Sequence, residues 1–270
     1  MTNSVVEGTT LTITMPDDFH HHFRDGAKTK SVLAHTTERF SRCIAMPNLQ
    51  PPVTNTALAT NYYNHIMESL PSKDCDFKPL MTLYLTDNTT PEEIKKAKET
   101  GFIYAAKYYP AGATTNSDFG VTSLDKVYPA LRAMEEVGMI LCIHSEVSRA
   151  EIDIFDREGV FIQEVMTPLL RDFQLLRIVM EHISTEGACE FVKNGPDNLA
   201  ASITAHHLLY NRNGKFCKVA LFASLQRGSN HLRTKTQYSV INLSSSTALN
   251  ISPQHYLWEE SNLIFTVCQS

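Results

Sequence analysis

The sequence predicts an α/β fold, a TIM-type (β/α)8 barrel without a normal eighth strand, and three observations predict it. From about residue 19 to 208 a short apolar run, a turn and an amphipathic stretch recur in that order. No Gly-x-Gly-x-x-Gly or P-loop follows the first run, so an open nucleotide-binding sheet has no support. After Phe216 the helix signals disappear. Strand–helix alternation builds a parallel sheet covered by helices, and about seven units suit a barrel of eight better than a doubly wound sheet.

The apolar runs end in 19–24, 43–48, 79–85, 103–109, 139–144, 177–182 and 199–206. Between them lie helices with recognisable starts. Thr90-Pro91-Glu92-Glu93 offers a cap, a proline at the first helical position and a capping-box glutamate. Ser123 is placed to cap a helix that ends before Gly138, and Ser184 to cap one stopped by Gly195-Pro196. The division predicted is a barrel over 1–216 and a divergent tail over 217–270. The tail contains no aspartate; 238–243 and 263–267 are its strand-like pieces. A barrel without a proper eighth strand is expected to leave strand edges unpaired.

Composition narrows the function classes. With 270 residues the chain can bury a full core, and 43% hydrophobic and 20% charged residues are ordinary for a cytoplasmic globular protein. A formal net charge of −5 leaves no basic surplus for nucleic acid. No apolar run reaches the roughly 18 residues that span a bilayer, and residues 1–18 lack secretory or transit character. The six cysteines are scattered with no C-x-x-C pair, as expected of reduced thiols.

Chemistry gathers at strand ends. His20 and His22 stand at i and i+2, so both imidazoles leave one face, a natural ligand pair for zinc or a similar ion. A chance histidine-rich patch is the plain alternative; His21 points the other way and reads as structural. His144 and His182 end two further apolar runs, and in a barrel such ends converge on the face where active sites form. Lys107 emerges from an apolar strand and must be paired, neutralised or modified, unless it snorkels to the rim.

Four stretches then carry a resemblance: Phe19-His20-His21-His22-Phe23-Arg24-Asp25-Gly26, Met46-Pro47-Asn48-Leu49-Gln50-Pro51-Pro52, the run from Ala106-Lys107 to Thr114-Thr115-Asn116, and Glu181-His182. Over about residues 10–216 the chain resembles the shorter, free-standing dihydroorotases of the metal-dependent amidohydrolase superfamily. The resemblance implies that His20 and His22 bind one zinc, His144 and His182 a second, and Lys107, carboxylated, bridges the two Zn2+. It implies that Arg24 and Asn48 hold the substrate carboxylate and that the loop bearing Thr114 and Thr115 closes over the ring. Without it, Arg24 and Asn48 read as a rim charge and a turn residue.

The activity implied is the interconversion of dihydroorotate and N-carbamoyl-L-aspartate in pyrimidine biosynthesis, on a small-molecule substrate, with room for a homodimer. Ser145 stands where the family usually has glycine, a small departure. The larger one is the eighth-strand aspartate, a metal ligand and proton shuttle in the family, which has no counterpart in 217–270. No general base is therefore assigned. Another cyclic amidohydrolase such as a hydantoinase, a non-catalytic metal-binding relative, or an aberrantly spliced or frameshifted product are the alternatives.

Overall fold

The computed structural model describes residues 14–73, 75–204, 207 and 263–266. Its strands are β1 (Asp17–His21), β2 (Arg42–Ala45), β3 (Lys78–Leu85), β4 (Ile103–Tyr108), β5 (Ile140–His144), β6 (Ile178–Glu181), β7 (Leu199–Thr204) and β8 (Leu263–Thr266). They pair in parallel and in chain order. The helices α1 (Ala27–Thr37), α2 (Thr56–Glu68), α3 (Pro91–Glu99), α4 (Leu124–Val137) and α7 (Glu186–Lys193) make the crossovers; between β5 and β6, α5 (Arg157–Phe161) runs through a π turn into α6 (Thr167–Asp172).

The strands are apolar nearly throughout because both faces are covered. One large core lies between sheet and helices and includes Leu83, Leu85, Leu141, Ile143 and Met180 with Ile94, Leu131 and Cys189. A separate small cluster of Ala105, Ile140, Cys142, Val179 and Ala200 comes from alternate strand positions and fills the barrel's interior. Strand alternation carries that interior face onward to Lys107, His144 and Glu181.

The helix starts differ in detail from those read in the sequence. Thr90 caps α3 through its Oγ1, which accepts from Glu93 N at 3.2 Å, but Glu93 does not close a capping box. Its carboxylate accepts instead from the backbone N–H and hydroxyl of Thr56, tying α3 to the start of α2. Thr185, not Ser184, caps α7, accepting from Ala188 N at 3.1 Å; Ser184 N is already engaged by Glu158. Ser123 stands at the N-cap of α4 without a side-chain cap bond, and α4 ends at Gly138 in the left-handed conformation glycine favours.

The eighth position is filled by replacement. Leu263–Thr266, within the tail, pairs with β7 from Ala201↔Leu263 to Thr204↔Thr266, so the edge of β7 is not left open. On its other side the backbone of β8 approaches that of β1 to within 8 Å, bringing the barrel close to closure. These four residues carry no carboxylate. The other strand-like piece of the tail, 238–243, and the glutamates Glu259 and Glu260 lie outside the described residues. No helix among the described residues is long and apolar enough to cross a membrane.

Candidate metal centre

Four imidazoles and one lysine meet at the C-terminal ends of β1, β4, β5 and β6. His20 Nε2 and His22 Nε2 are 3.2 Å apart, and so are His144 Nδ1 and His182 Nε2. The ring centroids of His20 and His182 are 5.1 Å apart, which joins the two pairs. Two nitrogens facing each other can share one proton at most, so each pair retains lone-pair capacity. His144 Nε2 is buried without a hydrogen-bond partner. Burial, then the neighbouring His20 and His144 respectively, holds His22 and His182 well below the ordinary histidine range. Neutral imidazoles clustered this way fit a divalent ion of the zinc type.

Lys107 is fully buried, and its Nζ is ion-paired with Glu181 and 5.0 Å from the Tyr109 ring centroid. The rim reading is thereby excluded. Burial pushes the Glu181 carboxyl up, but His20 and Lys107 outweigh it and hold it at about 2.

His21 takes the structural place read for it. A register irregularity in the β1–β2 pairing falls between Asp18 and His21. The His21 ring then turns outward, with Nδ1 2.9 Å from Asp18 Oδ2 and Nε2 3.2 Å from Thr36 Oγ1 on α1. Asp18, His21 and Cys43 lie close enough together to hold an ion. Both His21 nitrogens are already engaged, and burial pushes the Cys43 thiol far up, so the trio functions as a packed polar network.

The residues expected to bind substrate divide between surface and interior. Arg24 is exposed at the mouth, Asn48 is buried, Thr114 is half-buried and Thr115 exposed. Asn48 Nδ2 donates to Thr115 O at 3.3 Å, so the β2 and β4 loops do meet. Asn116 strengthens that junction: its Nδ2 donates to Asn48 O, its Oδ1 accepts from Gln50, and its carbonyl accepts from Tyr84. Among the described residues, the non-glycine residues with left-handed backbone are Arg24 (φ 65°), Asn116 (φ 57°) and His182 (φ 45°). All belong to this rim, and such conformations concentrate at functional sites. His182 is held there by Ser202 on β7, whose Oγ accepts from His182 N at 3.0 Å.

Sequence reasoning assigned no role to Glu181, Asn116, Ser202 or Glu158. A signal for Glu181 existed, a carboxylate closing an apolar run while a buried lysine needed a counter-charge. None marked Ser202, whose role depends on pairing across strands.

Glu158 anchors the segment after β5 to the start of α7. It is buried, and its carboxylate accepts from Ser184 N at 3.0 Å and from the Thr185 hydroxyl at 2.5 Å. Burial, assisted by the Glu146 charge, outweighs these bonds and raises its pKa to about 8. The folded state then keeps a proton that the unfolded chain releases above about pH 4.5. The contribution of Glu158 to stability is accordingly full below that pH and declines toward pH 8, by about 1.4 kcal/mol per unit at the steepest. Urea unfolding from pH 5 to 9 is expected to show this fall, and Glu158→Gln to flatten it; an unchanged slope in the variant would assign the fall to other groups.

The fold is a parallel barrel of the amidohydrolase kind, with clustered histidines and a buried lysine at the C-terminal ends of its strands. No protein-family model matches the chain. Over 205 residues it is 58% identical to the dihydroorotase of Psychromonas ingrahamii, covering 76% of this chain and 59% of that one. It superposes on the dihydroorotase of Campylobacter jejuni with a TM-score of 0.79 at 29% identity, over 93% of this chain and 68% of that one. It also superposes on dihydroorotase from Saccharomyces cerevisiae in complex with 5-fluoroorotic acid, with a TM-score of 0.77 at 26% identity, over 94% and 68% of the two chains. The resemblance to dihydroorotase read from the motifs therefore holds for about three quarters of the chain, 76%. The chain spans 59–60% of the length of the curated relatives it matches.

Proposed function

We propose that this barrel is a zinc-dependent cyclic amide hydrolase of the dihydroorotase type, acting between dihydroorotate and N-carbamoyl-L-aspartate, with its proton-transfer step impaired. The observation that carries the reading is the convergence of His20, His22, His144 and His182 on the buried Lys107. His20 and His22 would hold one zinc and His144 and His182 a second, with Lys107 carboxylated between them. When bound, the ions acidify water and polarise the scissile carbonyl. The chain's own residues do the remainder. Arg24, a planar fork at the mouth, suits the substrate carboxylate, and the Asn48 amide would share in holding it. Thr114 and Thr115, on the loop tied to Asn48, would cover the ring and exclude water.

A carboxylate-binding Arg24 and Asn48 favour this substrate over a hydantoin. A non-catalytic metal-binding relative is the second reading, favoured by one observation: β8 is built of Leu263, Ile264, Phe265 and Thr266 and brings no aspartate to the centre. In both readings 1–216 is the barrel and 217–270 a divergent tail that lends it a strand. Both predict zinc. Protein grown with zinc is expected to carry it on elemental analysis, with His20→Ala and His182→Ala each lowering the content. Absence of metal from the unsubstituted protein would dismiss both.

A further inference from the structure

Glu181 closes β6, and strand alternation would send it and His182 to opposite faces of the sheet. The left-handed backbone of His182 breaks the alternation, so two consecutive side chains both reach the interior. His182 faces His144 and His20, while Glu181, 1% exposed, faces His20 and Lys107. Glu181 Oε1 lies 2.9 Å from His20 Nδ1, and Oε2 pairs with Lys107 Nζ. The approach to His20 is off line for a hydrogen bond, but neither atom has another partner, so nothing competes for either. The opposite nitrogen of His20, Nε2, is the one that meets His22.

We propose that Glu181 is the positioning residue of the metal centre, a single carboxylate shared by His20 Nδ1 and the Lys107 nitrogen. This rests on the metal-centre reading above. A histidine that ligates through Nε2 must carry its proton on Nδ1, and a carboxylate accepting that proton fixes the tautomer and the ring's orientation. Lys107 needs the same acceptor in either form. As an ammonium it has three N–H groups. On carboxylation its nitrogen bonds the carbon of carbon dioxide and gives up two protons, which leaves one N–H to face Oε2. Glu181 therefore stays engaged while the lysine changes from cation to anion, and the added negative charge is balanced by the ions.

The test is zinc affinity by chelator competition on the full chain, comparing the unsubstituted protein with Glu181→Gln, alongside the visible spectrum of each protein loaded with cobalt. Glu181→Gln is expected to bind zinc about 10–100-fold more weakly and to shift the cobalt bands, which a residue that only stabilises the fold would leave in place. Equal affinity and an unchanged spectrum overturn the proposal while the metal centre stands. No zinc on the unsubstituted protein overturns the metal centre and the proposal with it. If Glu181→Gln alone does not fold, the comparison is Lys107→Met against Lys107→Met/Glu181→Gln, where no buried cation is left unmatched. The double variant is expected to bind zinc more weakly than the single one, and equal affinity in that pair overturns the role of Glu181.

Discussion

Assayed side by side, this chain is expected to hydrolyse dihydroorotate about 10²–10⁴-fold more slowly than a chimera whose residues 217–270 are replaced by a family-type eighth strand. Ring opening requires a base that takes the proton of the attacking water and returns it to the leaving nitrogen. The resemblance assigns that duty to an eighth-strand aspartate, and the last aspartate of this chain is Asp197, ahead of β7. The replacement strand restores backbone pairing to β7 but supplies only apolar residues and one hydroxyl. The proposed metal and substrate-binding groups without the base predict a slow enzyme rather than an inert barrel. Equal rates would place the base among acids the chain does have. Candidates are Glu146, 3.8 Å from His144 Nε2, and the tail glutamates Glu259 and Glu260.

The barrel was legible because its signals are local. Apolar runs with helical stretches between them state the alternation, and seven runs coincide with β1 to β7. His20 and His22 were legible as a pair because a spacing of two places side chains on one face of a strand. Helix caps were legible only in part: whether Glu93 turns back to its own helix or reaches Thr56 depends on a neighbour 37 residues away. Glu181 was hidden by the same rule that revealed His20 and His22. Alternation assigns Glu181 and His182 to opposite faces, and the left-handed turn that overrides it is hydrogen-bonded to Ser202 on the next strand. The replacement strand was legible as an apolar segment, 263–267, yet nothing in that segment states which edge it joins. Pairing across about sixty residues is a tertiary fact.

Replacing Lys107 with methionine is expected to lower the stability of the metal-stripped protein by about 3–5 kcal/mol, because it strands the Glu181 charge in the barrel's interior. The pair is buried at both ends, so water cannot take over the lost partner. Methionine itself fits the position, being unbranched, apolar and close in length to the lysine stem. The double variant Lys107→Met/Glu181→Gln removes both charges and is expected to regain most of the stability, as well-packed neutral replacements of buried ion pairs do. Metal stoichiometry should follow a different order, falling in both variants because neither can form the lysine carbamate. Urea midpoints measured after chelation, with zinc content measured separately, resolve the two effects. Unaltered stability in Lys107→Met would mean that Glu181 is not charged in the folded chain, and zinc retained at the unsubstituted ratio would remove Lys107 from the metal centre.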